Sequence, residues 1–278
     1  MPNKHDISAP NTLNNLMLAT CDIAKEAGKK IINIYQKDFK VIEKSDQSPL
    51  TEADMASHYY IVEQLEKLAP YPILSEESTK LPFSERSQWQ TYWLIDPLDG
   101  TKQFVQKTDE FCVCIALIHQ HQAILGVIHL PVSQETYYAC QGEGAFKRNP
   151  QQEVQTISTK VSSSASEQTS STWRIAVSRS HSKGDTQTFL ENLSKYELRI
   201  AGSAIKACWV AEGKADLYPR LWPTSEWDTA AAQCILEQAG GELTTLDGKA
   251  MQYNTKDDLT NPYFFASAQT HMNWAKYL

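Results

Sequence analysis

The sequence has little that would place it in a membrane or in an oxidising compartment. No apolar run reaches the roughly 18 residues that a membrane-spanning helix needs, and the opening stretch Met1–Asp6 lacks the apolar core of a secretory signal. The six cysteines are scattered without a C-x-x-C pair, so neither a zinc knuckle nor a disulfide framework is predicted. We therefore expect buried, reduced thiols in a cytoplasmic protein.

Positive charge is also scarce. The 278 residues contain 26 Lys and Arg against 33 Asp and Glu, which gives a formal net charge of −7. A protein that coats a nucleic-acid polymer needs a basic face to displace phosphate counterions, so that class is not expected here. Small anionic substrates stay possible, because bound cations can override the net charge locally.

The apolar pattern predicts alternating helices and strands. Helices are predicted at Leu13–Ile34, Glu52–Leu68, Gly184–Lys195, Ser203–Glu212 and Trp227–Ala239. Strands are predicted at Ile73–Leu74, Tyr92–Ile95, Phe111–Ile118, Ala123–Leu130, Glu135–Cys140, Trp173–Val177, Ala215–Tyr218 and Phe264–Phe265. This order is typical of an α/β or α+β chain.

A polar segment divides the chain into two predicted parts. Eight of the eleven residues from Ser162 to Thr172 are Ser or Thr, which favours a linker or an exposed loop over residues 161–172. An N-terminal α+β part is then expected over residues 1–160 and a C-terminal α/β part over residues 173–278.

The most informative motif is Asp96-Pro97-Leu98-Asp99-Gly100-Thr101. A buried strand delivers two aspartates into a turn that Pro97 and Gly100 favour. Such a turn can aim both carboxylates, and a carbonyl between them, at one hard divalent cation. A strand-ending turn with solvated aspartates is the competing interpretation of this motif alone.

Three further acidic sites follow the same pattern. Glu76 ends a short strand, Asp54 lies in the first turn of a helix after Thr51, and Asp228 opens the last long helix. Each alone is typical of ordinary surface or helix-start chemistry. Their combination in this order is more specific than any one of them.

Together these motifs resemble the inositol monophosphatase superfamily of magnesium-dependent, lithium-sensitive phosphomonoesterases, which have a layered αβαβα fold. The resemblance covers nearly the whole chain. Four stretches resemble one branch, the 3′(2′),5′-bisphosphate nucleotidases of sulfate assimilation: Lys44–Thr51, Ser178–His181, Gly202–Lys206 and Leu217–Arg220. That branch removes the 3′-phosphate of adenosine 3′,5′-bisphosphate to give AMP. The resemblance implies the same reaction here, possible use of the sulfated nucleotide PAPS, and possible attachment to the inner face of the membrane.

The resemblance also implies a ligand set for two or three Mg²⁺ ions. Glu76, Asp96 and the Leu98 carbonyl would hold the first ion. Asp96, Asp99 and Asp228 would hold the second. Glu76 and Asp54 would support a third, and Thr101 with Asp54 would orient the attacking water.

Substrate contacts are expected from both parts of the chain. Backbone donors at Gly100 and Thr101 would bind phosphate if a helical turn begins there, and the cationic Lys206 and Arg220 would suit a second phosphate. The full set of predicted substrate contacts is Glu76, Leu98, Asp99, Gly100, Thr101, His181, Ser203, Lys206, Arg220 and Asp228. The expected partner is thus a small nucleotide bisphosphate, and no oligomeric state is predicted.

Two other functions compete with this one. The first is a phosphatase of the same superfamily that acts on inositol monophosphate or a sugar bisphosphate. The second is a non-catalytic cation-binding protein with the same fold, although all the acidic positions and Thr101 are present. Among smaller signals, the His119-Gln120-His121 pair is interpreted as a hairpin tip, Cys112 and Cys114 as core residues, and Trp209, Trp222 and Trp227 as core packing.

Overall fold

The structure is a computed structural model that describes residues 10–43, 49–79, 81–159, 172–179 and 184–278. The Ser/Thr-rich segment lies outside the described residues except for Thr172, and so do residues 44–48 and His181.

Helices in the described residues keep close to the apolar periodicity of the sequence. Their bounds are α1 Pro10–Tyr35, α2 Glu52–Leu68, α3 Phe83–Arg86, α4 Thr101–Val105, α5 Asp185–Glu191, α6 Ile205–Ala211 and α7 Ala230–Gln238, with short 3₁₀ turns at Glu226–Asp228 and Trp274–Tyr277. No helix among these residues is long and apolar enough to cross a membrane.

The strands of the described residues form two large sheets and a small hairpin. The strands are β1 Val41–Glu43, β2 Pro49–Thr51, β3 Ile73–Ser75, β4 Thr91–Asp99, β5 Cys112–His119, β6 Gln122–Leu130, β7 Glu135–Cys140, β8 Gly144–Arg148, β9 Val154–Ile157, β10 Trp173–Val177, β11 Tyr196–Ile200, β12 Leu217–Arg220, β13 Glu242–Thr245 and β14 Phe264–Ser267. Strands β3 to β9 lie side by side in chain order, and the second sheet has the order β11-β10-β12-β14-β13.

The pleat of β4 separates two cores on the two faces of the larger sheet. Trp93 and Ile95 are buried among residues of α1 and α2, while Tyr92 and Leu94 point to the opposite face, among residues of α6 and α7. A third core, which includes Phe189 of α5, covers the outer face of the smaller sheet. The layers are therefore helix, sheet, helix, sheet, helix, which confirms the predicted αβαβα fold.

The middle helical layer is pressed tightly against the larger sheet. A Cβ atom at Gly126 of β6 would lie 2.3 Å from the carbonyl oxygen of Ala231 in α7, a distance that no side chain tolerates. This core contains residues from before and after the Ser/Thr-rich segment. The division of the chain into two domains stays a prediction, and its two parts share this core.

Most predicted elements are confirmed, and the errors fall on exposed or short segments. The predicted helix Gly184–Lys195 ends at Glu191, because Tyr196–Ile200 forms the edge strand β11. Strands β1, β2, β8, β9, β11 and β13 were not predicted. Core packing was also the wrong interpretation for Trp222, a residue that is 54% exposed, whereas Trp209 and Trp227 do pack on the core.

Candidate active site

A β-bulge in β4 turns two aspartates toward the same side. Residues three apart in a regular strand face opposite ways. Here the register with β5 shifts between Asp96 and Asp99, so that Asp96 lies opposite Cys114 and Asp99 opposite Cys112. Cys112 and Cys114 are two residues apart and share a face. The extra residue therefore brings both carboxylates to one face, as bulges near active sites commonly do.

Asp228 reaches the same point from the smaller part of the chain. It is the third residue of a 3₁₀ turn, where its Oδ2 atom accepts a hydrogen bond of 2.9 Å from the Ser225 N–H in a capping box. Carboxylate oxygens of Asp96, Asp99 and Asp228 lie within 4.8 Å of one another. Such a cluster of hard oxygen donors suits Mg²⁺.

These three aspartates are crowded, and all three pKa values are raised. Asp96 is buried, whereas Asp99 and Asp228 are partly buried. Burial raises the pKa of Asp96 well above its usual value, and the charges of Glu76, Asp99 and Asp228 add to the rise. Burial, followed by the charges of Asp99 and Glu76, raises the pKa of Asp228 to about 8. Burial likewise raises the pKa of Asp99. A bound cation would reverse these shifts, since it favours the ionised form.

Asp54 and Thr101 form a hydrogen-bonded pair beside this cluster. Thr101 Oγ1 lies 3.0 Å from Asp54 Oδ1 and 3.2 Å from the Leu98 carbonyl oxygen, either of which can accept its proton. The other oxygen of Asp54 accepts bonds from the Thr51 N–H and hydroxyl at 2.7 and 2.6 Å. Burial raises the pKa of Asp54 despite these bonds. Thr51 thus caps α2, as the helix-start interpretation predicted, and Asp54 faces the site as well.

Glu76 acts on the cluster through its charge, and Leu98 acts on it through its backbone. Glu76 follows β3, and its N–H donates to the Ile95 carbonyl at 3.2 Å. Its charge contributes to the raised pKa values of Asp54, Asp96 and Asp228. The Leu98 N–H donates to Asp96 Oδ1 at 3.0 Å, which fixes that carboxylate.

Gly100 makes the turn after the bulge possible. Its φ of 95° lies in the left-handed region, and a Cβ atom there would lie 3.0 Å from the Glu110 carbonyl oxygen. Helix α4 begins at the next residue, Thr101. The predicted binding of phosphate by the backbone N–H groups of Gly100 and Thr101 depended on a helical turn that begins there.

The segment before α6 closes one side of Asp99. The Ala204 N–H donates to Asp99 Oδ2 at 2.6 Å. Ser203 adopts a positive φ of 48° and is partly exposed. The Lys206 ammonium is buried and donates to the carbonyls of Ser203 at 2.5 Å and Ala201 at 3.4 Å. Burial lowers the pKa of Lys206 to about 8, although the charge of Asp99 opposes that shift.

Arg220 lies at the end of β12, close enough to the cluster for its charge to lower the pKa values of Asp99 and Asp228. Its guanidinium donates to Ser178 Oγ at 3.4 Å and to the Pro223 carbonyl at 3.3 Å. Ser178, Arg220 and the exposed Trp222 line the same small crevice.

The two histidines of the hairpin tip do not join the site. Gln120 and His121 have positive φ values of 47° and 67° in the turn between β5 and β6. His119 Nδ1 lies 2.8 Å from Thr91 Oγ1, and His121 Nδ1 lies 2.8 Å from the Tyr253 carbonyl. The hairpin-tip interpretation is confirmed.

The sequence analysis missed residues that lie far from the acidic motif in the sequence but contact it in the structure. Cys112 was interpreted as core, yet its Sγ lies 3.5 Å from Asp99 Oδ2. Ser57 was not considered, and its hydroxyl donates to the Pro97 carbonyl at 2.7 Å. Only the register of β4 on β5 could have revealed the first contact. A small polar residue one turn after Asp54 on α2 was an available signal for the second.

The sequence model of the inositol monophosphatase family matches residues 13–277. The chain belongs to the inositol monophosphatase family. A family member from Aggregatibacter actinomycetemcomitans, the 3′(2′),5′-bisphosphate nucleotidase CysQ, is 38% identical over 269 residues, which cover 96% of this chain and 98% of that protein. The Escherichia coli K12 protein of the same name is 38% identical over 252 residues, covering 89% and 97%.

Solved structures of this family give the same result. The crystal structure of CysQ from Bacteroides thetaiotaomicron superposes with a TM-score of 0.79 at 38% identity, covering 91% of this chain and 97% of that one. An inositol monophosphatase from Thermotoga maritima superposes with a TM-score of 0.75 at 25% identity, covering 93% and 94%. The layered fold and the family assignment therefore agree.

Proposed function

We propose that this protein is a magnesium-dependent phosphomonoesterase that removes the 3′-phosphate of adenosine 3′,5′-bisphosphate to give AMP and phosphate. The observation that carries the proposal is the cluster of Asp96, Asp99 and Asp228, one buried and two partly buried carboxylates within 4.8 Å of one another, in a chain of this family. The name shared by the curated relatives supports the choice of substrate. Action on PAPS and a cytoplasmic location are the finer parts of the same proposal.

The donor set of the cluster fits Mg²⁺. Carboxylate oxygens are the ligands that this ion prefers, and the mutual repulsion of the three aspartates needs positive charge between them. We assign Glu76 and the Leu98 carbonyl to the same group of ligands, with two or three ions in all. Bound there, Mg²⁺ would neutralise the phosphate and lower the pKa of the attacking water.

We assign Asp54 and Thr101 to the attacking water. The two bonds from Thr51 hold the Asp54 carboxylate, which leaves Oδ1 facing the Thr101 hydroxyl at 3.0 Å. When Thr101 donates to Asp54, its oxygen lone pairs stay free to accept a hydrogen bond from water. The raised pKa of Asp54, a consequence of burial, makes this carboxylate a better proton acceptor than an exposed aspartate.

Recognition of the second phosphate is assigned to the cationic side of the site. Arg220 can turn its guanidinium from the long bonds to Ser178 and Pro223 toward a phosphate, and a planar fork makes two bonds to one phosphate. Lys206, being buried, would act mainly through its field on Asp99 and the phosphate. Backbone N–H groups at Gly100 and Thr101, the Ser203 hydroxyl and His181 complete the proposed contacts.

A panel of phosphate-release assays tests the proposal. Adenosine 3′,5′-bisphosphate, inositol 1-phosphate and fructose 1,6-bisphosphate are each offered with and without Mg²⁺. We expect the highest kcat/KM on the nucleotide and no turnover in EDTA. Preference for inositol phosphate or the sugar bisphosphate would select the neighbouring phosphatase function. Magnesium binding without phosphate release from any of them would select the non-catalytic cation-binding protein.

A further inference from the structure

Two buried thiols, those of Cys112 and Cys114, lie beside Asp99. Cys112 Sγ lies 3.7 Å from Cys114 Sγ and 3.5 Å from Asp99 Oδ2, and one ligand atom from each of the three residues falls within a group 4.8 Å across. Both cysteines are free. Nothing in the proposed phosphatase reaction uses them.

The spacing of these atoms matches a tetrahedral metal site. Zn–S bonds of about 2.3 Å at a tetrahedral angle hold two sulfurs about 3.8 Å apart, and a Zn–O bond of about 2.1 Å places the oxygen about 3.6 Å from a sulfur. The distances in the protein are 3.7 Å and 3.5 Å. A thiophilic ion could thus bind without a rearrangement of the strands.

We infer that Asp99, Cys112 and Cys114 form a second metal site that takes a thiophilic divalent cation, Zn²⁺ or Cd²⁺, and that this ion inhibits the enzyme by taking Asp99 from the magnesium cluster. The binding stands on the geometry alone, whereas the inhibition rests on the proposed function. Asp99 belongs to both groups of ligating residues, so the two kinds of cation compete for one carboxylate.

The chemistry of the donors separates the two sites. Thiolates favour soft or borderline cations, and Mg²⁺ favours oxygen and keeps its water. Ser203 Oγ lies 3.5 Å from Cys112 Sγ, as close to that sulfur as Asp99 Oδ2 is. On binding, each thiol passes its proton to solvent and forms a sulfur–metal bond. The net reaction is exchange of protons for the cation, with no change in oxidation state.

Titration of the metal-free wild-type protein with Cd²⁺ tests the binding. Thiolate-to-cadmium charge transfer gives an ultraviolet band whose size reports the number of sulfurs bound. We expect one high-affinity ion with a band from two thiolates and one proton released for each thiol. Cd²⁺ binding without that band in the wild type, or no binding, would overturn the proposal before any variant is made.

Variants then locate the sulfurs. Cys112→Ala and Cys114→Ala should each remove half the band or more and weaken Cd²⁺ at least about 10-fold, a typical cost for disturbing a metal site. Cys140→Ala is the matched control, because Cys140 is equally free and buried but lies on β7. A loss of the band in Cys140→Ala, or its survival in both other variants, would place the ion elsewhere. Circular dichroism is the check that each variant is folded.

Inhibition is measured separately. Zn²⁺ should slow phosphate release from adenosine 3′,5′-bisphosphate, and higher Mg²⁺ should relieve the inhibition, because both cations need Asp99. Inhibition of Cys114→Ala is measured against the rate of that variant without Zn²⁺. The Zn²⁺ concentration that halves this rate should be at least about 10-fold higher than for the wild type. An unchanged Zn²⁺ concentration for half inhibition would refute the inhibitory role of the site, but it would not affect the cadmium-binding result. Absence of any phosphatase activity would refute the proposed function and not the binding.

Discussion

Buried and partly buried acids occur in two kinds of surroundings in this protein. At the smaller sheet, Asp216, the residue before β12, pairs with Arg174. The guanidinium and the backbone N–H of Arg174 together donate to both carboxylate oxygens of Asp216, at 2.5 to 3.1 Å. On the larger sheet, Lys147 bridges Glu135 and Glu212 at 2.6 and 3.2 Å. Although burial lowers it, hydrogen bonds and charge from these two glutamates raise the pKa of Lys147 overall.

The active-site acids have no such arrangement. The strongest charges acting on Asp96 are those of Glu76, Asp99 and Asp228, all of the same sign. Arg220 and Lys206 act on the cluster only through their fields. The charges of the paired acids are thus compensated within the fold, whereas the crowded acids repel one another in the absence of a cation. This contrast separates structural acids from functional ones more clearly than burial does.

The largest effect is expected for Asp96→Asn. The change is nearly isosteric but removes the central charge of the cluster, so phosphate release should fall by about three orders of magnitude or more. The same variant should be no less stable than the wild type in EDTA, because it also removes repulsion. Thermal unfolding and phosphate release measured on one preparation check both parts. Near-normal activity in a folded variant would refute the metal-ligand assignment.

Arg220→Ala should reduce kcat/KM on adenosine 3′,5′-bisphosphate about 10- to 1,000-fold, since each hydrogen bond to a charged group contributes about 1.5–3 kcal/mol. A nucleoside monophosphate that lacks the second phosphate should be affected far less.

Arg199→Ala is the matched control for Arg220→Ala, because Arg199 is an exposed arginine of the same sheet that pairs with Glu197 at 2.6 Å. It should leave both rates unchanged. Equal losses on the two substrates in Arg220→Ala would place Arg220 in the metal chemistry or the general structure.

Asp216→Asn tests the paired side of the comparison. Removal of one partner leaves the Arg174 charge half-buried and weakly paired, so the free energy of unfolding should fall by about 2–3 kcal/mol. Activity below the unfolding transition should stay close to that of the wild type. Urea unfolding at neutral pH measures the loss, and a stability equal to that of the wild type would show that the ion pair contributes nothing net.

The smallest expected effect is a pH dependence of the metal-free protein. The folded state holds Asp96 and Asp228 protonated at pH values where the unfolded chain is ionised, so stability should fall as the pH rises from about 4 toward about 8. Mg²⁺ should then raise the melting temperature more at pH 8 than at pH 5, by at least about 3 °C. A metal effect that is equal at both pH values would contradict the assigned shifts.

The sequence predicted the fold best where a local signal marks the element. The bounds of α2 and of β7 match the prediction to the residue. A capping threonine marks the start of α2, and the last five residues of β7 form one short buried run. Strand β11 was missed because all five of its residues are exposed at a sheet edge, and its pairing with β10 is a long-range event. The local sequence pattern does not indicate which distant strands pair.

The site was predicted unevenly for the same reason. Asp54, Asp96, Asp99 and Asp228 were all singled out from motifs in the chain. The structure brings the last three within 4.8 Å of one another, and Asp54 contacts Thr101 at 3.0 Å. The contact of Cys112 with Asp99 depends on the bulge, which changes the register of β4 on β5. The spacing of residues along the sequence does not predict that register. Likewise, the burial of Lys206 depends on how α6 packs between the sheets.

The capping boxes at Thr51–Asp54 and Ser225–Asp228 also affect the entropy of cation binding. Each aspartate is held by backbone N–H groups at a helical start, so its rotamer freedom, on the order of 1 kcal/mol per side chain, is lost when the helix forms. An arriving cation then meets carboxylates that no longer have to be ordered. The entropic cost of ordering these carboxylates is therefore part of the folding free energy and not of the binding free energy, so the affinity for the cation is higher.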